Sequence, residues 1–261
     1  MAKSTEPPGP IANGEGAGAA EFMGSMPASY ALAFSLVEIQ QHTEIVLRRR
    51  GRPVHVERCA TFADKTTTVC VVADDRAGLL SLICHALVGL HLEIVSAQIY
   101  SRVTPGGTHE AVDFFWLRAQ SDDVSRAVTP QQVAALERKL GQALTSNAAL
   151  APAAEAEPRP TLDPIPAPRA FFDPVQLREG HLLLVVESRD FPGLLLTITR
   201  TLHEARLDVV SSEVVTQGWL ARDRFFLKDL AGSVPTTERL ARVRAAVLEA
   251  VRSALSRFYE R

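Results

Sequence analysis

The sequence predicts an α+β protein built from two ferredoxin-like βαββαβ modules, each a mainly antiparallel sheet with its helices on one face. The first observation is an internal repeat, in which Ala73-Asp74-Asp75-Arg76-Ala77-Gly78-Leu79-Leu80 returns 115 positions later as Ser188-Arg189-Asp190-Phe191-Pro192-Gly193-Leu194-Leu195. The second is that Leu87, Leu92, Ile94 and Ser96 meet Leu202, Leu207, Val209 and Ser211 at the same offset. After a loop five residues shorter in the second copy, Asp113-Phe114-Phe115-Trp116-Leu117-Arg118 meets Asp223-Arg224-Phe225-Phe226-Leu227-Lys228. The third is the alternation of strand-like and helix-like patterns in the order βαββα in each copy.

The first 28 residues are rich in Gly, Ala, Pro and Glu and are expected to be a disordered tail without the pattern of a secretion signal. Residues 29–61 are expected to hold an N-terminal helix and a short strand. Ser35-Leu36-Val37-Glu38 forms a capping box, in which serine oxygen and glutamate satisfy opposite orphan amides at a helix start. Arg48-Arg49-Arg50 then close the helix against its dipole, a role that needs no phosphate ligand. Pro53-Val54-His55-Val56-Glu57 alternates as an edge strand does.

The first repeat is expected over 62–148. Thr66–Ala73 is β-branched and apolar and reads as a core strand. Leu79, Ile83, Ala86, Leu87 and Leu90 make a helical stripe, and 92–101 and 111–118 follow as strands joined by the Thr104-Pro105-Gly106-Gly107 turn. Thr129-Pro130-Gln131-Gln132 announces a helix whose buried face is Val133, Leu136, Leu140 and Leu144. Residues 149–168 are an Ala/Pro-rich linker, too poor in large apolar side chains to pack.

The second repeat, 169–261, runs as strand, helix, strand, strand and a long helix with Leu240, Val243, Val247, Val251 and Leu255 on one stripe. No strand pattern follows that helix. The first repeat's closing strand is assigned to about 169–173, beyond the linker, and the sheet face opposite the helices is expected to be free for a partner.

Composition narrows the function classes. With 46% hydrophobic and 22% charged residues and a net charge of −2, no global field draws the 261-residue chain to nucleic acid or an anionic membrane, and no apolar run is long enough to span one. A soluble, cytoplasmic protein is expected. Cys59, Cys70 and Cys84 are odd in number and without Cys-x-x-Cys spacing, which reads as buried reduced thiols. Magnesium-binding Asp-x-Asp spacing, a glycine-serine nucleotide loop and a His-Asp pair are missing from the sequence, so no catalysis, cofactor or metal is expected.

Asp75 and Asp190 each stand three residues before a glycine, where a core strand turns into a helix. An aspartate there can accept from orphan helix amides, glycine permits a close approach, and the helix N-terminus suits a small anion or zwitterion. The plainer alternative is a strand-to-helix turn with no ligand.

These corners, with Leu92-Glu93-Ile94-Val95-Ser96-Ala97 and the Asp113-x-Phe115 strand, resemble an ACT domain. The tandem layout from about Tyr30 onward is similar to the C-terminal region of the bifunctional uridylyltransferase/uridylyl-removing enzymes of nitrogen signalling. The resemblance implies a regulatory module that binds an amino acid, glutamine in that family, where the corner of one unit faces the second strand of the other. Carried over by position, Asp75, Gly78 and Leu79 form one corner and Asp190, Gly193 and Leu194 the other, with Glu93 and Asp208 on the facing strands. Asparagine is common in the family at the Glu93 and Asp208 positions, and a carboxylate there repels an amino acid's carboxylate unless a proton or cation intervenes. The implied partners are the second ACT module of the same chain or a homodimer, and a signalling protein. A ligand-free assembly module and a regulatory subunit of a separate catalytic chain are the alternatives.

Overall fold

One continuous antiparallel sheet joins the two repeats, in the strand order β1-β2-β5-β3-β9-β10-β8-β7. The structure, a computed structural model, describes residues 15–121, 124–146, 165–178, 181–232 and 234–259. The first repeat comprises β1 (Val54–Thr61), β2 (Thr67–Asp74), α4 (Leu79–Val88), β3 (Leu92–Ile99), β4 (Ser101–Val103), β5 (His109–Ser121), β6 (Val124–Arg126) and α5 (Pro130–Ser146). The second comprises β7 (Arg169–Arg178), β8 (His181–Arg189), α6 (Leu194–Glu204), β9 (Leu207–Gln217), β10 (Leu220–Asp229) and α7 (Thr237–Tyr259). Ahead of both stand α1 (Glu15–Ser25), α2 (Ala28–Ala33) and α3 (Leu36–Arg48). The expected linker lies outside the described residues up to 164.

The βαββα order is as the alternating patterns predict, but the closing strand is not. In each module it comes first in the chain: β1 pairs antiparallel with β2, and β7 with β8. The strand at 169–173 therefore closes the second module and not the first, and 54–61 belongs to the first module's sheet. Chain connectivity explains both corrections, because a strand pairs with its sequence neighbour at a smaller loop-closure cost than with one across a linker. Each module is a ferredoxin-like unit whose fourth strand has moved to the front.

Helices α4 to α7 cover one sheet face over a single apolar core containing Ile83, Leu87, Phe115, Leu117, Ile198, Leu202, Phe225 and Val247. Helix α4 packs against α6, with the buried thiol of Cys84 meeting Thr199, its counterpart in the repeat. The sheets join edge to edge, β3 against β9, with Ala97 opposite Val214 and the Ser96 hydroxyl donating to the Val214 carbonyl at 2.7 Å.

The other face was expected to be free, yet α1 to α3 cover it in the first module. Part of the expected disordered tail is thus helix α1, whose Phe22, with Met26 just beyond, is buried against the sheet. The reason lies in strand residues that face outward. In module one they are Cys70, Val72, Tyr100, Val112 and Phe114, all buried with Tyr30 and Phe34. At the matching positions module two has Val185, Glu187, Val215, Arg222 and Arg224, and Arg222–Glu187 and Arg224–Glu213 form ion pairs there. The capping box at Ser35 is present, with Glu38 returning to the Ser35 amide at 2.8 Å.

Candidate functional site

Both Asp-x-x-Gly corners are built the same way. One residue past the strand before each stands an aspartate whose amide donates to the start of the neighbouring strand or the residue before it, Asp75 to the His109 carbonyl at 3.1 Å and Asp190 to the Trp219 carbonyl at 2.8 Å. Three residues on, Gly78 and Gly193 take the left-handed conformation, φ +81° and +95°, and start α4 and α6. Leu79 and Leu194 are buried as the first residues of those helices. A side chain with a Cβ pays about 1 kcal/mol or more in that conformation, which accounts for glycine at both places.

The aspartates do not cap the helices as the sequence led us to expect. Gly78 and Gly193 hold the N-cap positions without a side-chain hydrogen bond. Asp75 turns instead to the strand beside it, where the Ser101 hydroxyl donates to its Oδ2 at 2.6 Å. Asp190 takes the same part with Thr216, the residue matching Ser101 in the repeat, and also meets the Phe191 amide. Among the described residues neither N-cap makes a side-chain cap, and the positive end of each helix dipole stands at the corner.

Behind each corner stands a second aspartate, in β5 and in β10, that the corner motif does not mark as a site residue. Asp113 and Asp223 are 1% and 2% exposed. Period-two alternation puts each on the same face as Phe115 or Phe225, the core face, and that was the available signal. The Tyr100 amide donates to Asp113 Oδ1 at 3.3 Å, and the matching Val215 amide favours the ionised form of Asp223. Burial pushes both carboxyls well above the usual range, and the nearby Asp75 and Asp190 charges push the same way. The Asp223 Oδ1 has no hydrogen-bond partner among the described residues.

The edge-to-edge pairing then carries the second strand of each module to the corner of the other. Asp75, Arg76, Leu79, Leu80, Ser101 and Asp113 of module one line a cleft closed on its far side by Asp208, Val209 and Val210 of β9. At the mirrored junction, Glu93 on β3 acts on Asp190. Burial first, and the Glu93 charge second, raise the Asp190 carboxyl to about 6. The structure thus lines one cleft with Asp75, Leu79 and Asp208 of the expected residues and sets Glu93 near Asp190 at the other junction, and each junction has three carboxyl groups: Asp75, Asp113 and Asp208 at one, Asp190, Asp223 and Glu93 at the other. Lys228 offsets Asp208 at 3.2 Å, and Gln120 donates to Glu93 at 2.7 Å. No cluster of metal-ligating side chains occurs among the described residues.

The two junctions differ in their covering. The end of α7 closes over the second corner, where the Tyr259 hydroxyl donates to the Asp190 carbonyl at 2.7 Å, Phe258 packs on Phe191 and Arg189 lies over the Tyr259 ring. The first corner is tightened from across the pair, since a Cβ on Gly78 would sit 2.9 Å from the His203 ring of α6. The first cleft has room for about one water molecule.

No protein-family model matches the chain. The bifunctional uridylyltransferase/uridylyl-removing enzymes of Gluconobacter oxydans and Novosphingobium aromaticivorans are 31% and 33% identical to it over 234 and 208 residues, 87% and 77% of this chain. That of Rhodospirillum rubrum is 27% identical over 239 residues. The chain resembles one segment of these enzymes. It spans about a quarter of their length, 24%, 22% and 25% of the three. Among solved structures, aspartate kinase from Synechocystis matches 73% of the chain at a TM-score of 0.39 and 13% identity, over 27% of its own length. No described helix is long and apolar enough to cross a membrane.

Proposed function

We propose that the chain is a non-catalytic regulatory module of amino-acid or nitrogen signalling. It binds a small amino acid at the two junctions between its ACT-type units, with glutamine the first candidate through the resemblance to the uridylyltransferase segment. The observation that carries this reading is the pairing itself: each glycine corner meets an acidic strand end of the other unit. A zwitterion fits the polarity of such a junction. Its carboxylate is drawn to the uncapped start of α4 or α6, and its ammonium to Asp208 or Glu93. This orientation answers the repulsion expected between a ligand carboxylate and those two side chains.

Binding acts by favouring one arrangement of the pair, to the extent of the ligand's preference for that arrangement. The cleft must widen to admit even a small amino acid, so occupancy and the α4–α6 packing are coupled. Melting temperatures measured with millimolar glutamine and each other amino acid test the reading. A shift for one ligand class, lost when Leu79→Trp fills the first corner and Leu194→Trp the second, is expected. Absence of any shift in the parent protein overturns it.

The small cleft gives one specific reason for a second reading, in which the β3–β9 seam serves assembly alone. In that case bulky residues at Gly78 and Gly193 leave partner binding intact.

A further inference from the structure

Beneath α3, on the face away from both junctions, strand β1 carries a bulge. Arg58 and Ala60 pair with the consecutive residues Val69 and Thr68, leaving Cys59 as the extra residue between them. Bulges re-aim side chains, and here Cys59 is directed into the cluster that holds Cys70. His42 of α3 packs on the same cluster, its ring 4.2 Å from that of Phe114, and both His42 and Cys70 favour the Cys59 anion. His42 is itself oriented, because its Nδ1 lies 2.8 Å from the buried Tyr30 hydroxyl. Cys59 is half-buried and Cys70 is fully enclosed, while Cys84 stands apart in the other core.

An attacking sulfur, a histidine that stabilises its anion, a group that orients the histidine and a second sulfur on the neighbouring strand of the same cluster make up the parts of a thiol oxidation site. We propose that Cys59 and Cys70 form a peroxide-reactive pair, with Cys59 the attacking sulfur and Cys70 the resolving one. The Cys59 thiolate displaces hydroxide from hydrogen peroxide to give a sulfenic acid. The Cys70 sulfur then forms the S–S bond, the S–O bond breaks, and hydroxide leaves with the Cys70 proton as water. Peroxide is reduced and the two thiols are oxidised.

The electrostatics agree with those roles. Cys70 and His42 lower the Cys59 thiol below the ordinary range against the opposing effects of burial and Glu57, while burial holds Cys70 protonated. The charged and titratable groups around Cys59 are His42 on α3, Cys70 on β2, Glu57 on β1 and Tyr30 on α2.

The full-length reduced chain, treated with hydrogen peroxide and digested without reductant, should yield a Cys59–Cys70 linked peptide and an intact mass lower by two hydrogens. In Cys70→Ser, dimedone should label Cys59; in Cys59→Ser, peroxide should leave Cys70 and Cys84 as thiols. Iodoacetamide at pH 6 should modify Cys59 several-fold faster in the parent than in His42→Asn, which removes one of the two groups that favour its anion. A parent protein that forms no linked peptide, or a Cys70→Ser variant without dimedone label, overturns the proposal. These serine variants keep the size of the side chain, and circular dichroism on each confirms that the fold is retained.

Discussion

Replacing Asp190 with asparagine should stabilise the protein at neutral pH and do little in acid. Burial and Glu93 raise the Asp190 carboxyl from an ordinary 3.8 to about 6. At about 1.4 kcal/mol for each pKa unit, ionised Asp190 costs the folded state about 3 kcal/mol. The sign follows from proton uptake. Between pH 4 and 6 the folded protein holds a proton that the unfolded chain has released, so this group's stabilisation is full below pH 4 and is lost as pH rises through 6. Asparagine behaves as the neutral acid throughout but accepts less well from Thr216 and the Phe191 amide, a loss of about 1 kcal/mol. The net gain at pH 7.5 is about 2 kcal/mol, or about 4–8 °C in Tm for a chain of this size. Urea unfolding of parent and Asp190→Asn at pH 7.5 and pH 4 measures it. Curves displaced equally at both pH values, in either direction, would refute the argument that Asp190 is held ionised against its environment.

Gly78→Ala should destabilise by about 2 kcal/mol or more, since it adds the His203 clash to left-handed strain, whereas Gly193→Ala meets open space and costs about 1 kcal/mol. Thermal unfolding of the pair, with His203→Ala added to the first, separates the two contributions. Glu110→Ala should cost about 3–5 kcal/mol, because it strips the shared carboxylate from the buried guanidinium groups of Arg49 and Arg102, at 2.8 and 2.6 Å. A loss below about 1 kcal/mol by urea midpoint contradicts that reading. Tyr259→Phe removes the hydroxyl that donates to the Asp190 carbonyl and should cost about 1 kcal/mol, with faster hydrogen exchange at the second corner but not the first.

The duplicated core was readable because its signals are local. The β-branched apolar run in Thr67–Asp74 and the stripes of α4 and α6 each lie within one element, and the Asp-x-x-Gly corners mark the same junction twice. Strand order was not readable for the edges. The pattern in Arg169–Arg178 names a strand without naming its neighbour, and connectivity decided the matter. Helix α1 was not readable because Glu15–Ser25 is mostly small residues, and what ties it to the sheet is Phe22, the following Met26 and Arg102 donating to the Ser25 hydroxyl. Its folding depends on outward-facing residues such as Val112 and Phe114, more than eighty positions away.

The junctions were legible in the same uneven way. Glu93 and Asp208 came from the resemblance, and the structure carries each to the opposite corner. Asp113 and Asp223 were already distinguished by standing where an apolar residue belongs in the alternation. Ser101 and Thr216 had no such mark, because a hydroxyl on a strand is common and their partners lie on a different element.

The account turns on whether the paired corners receive a small zwitterion, and isothermal titration of the intact chain with glutamine and the other amino acids at pH 7.5 measures that most directly. A saturable heat is predicted for one ligand class, weakened at least tenfold when Asp208 and Glu93 both become alanine. No heat from any amino acid at millimolar concentration would contradict the account and leave the corners as turns in a duplicated scaffold.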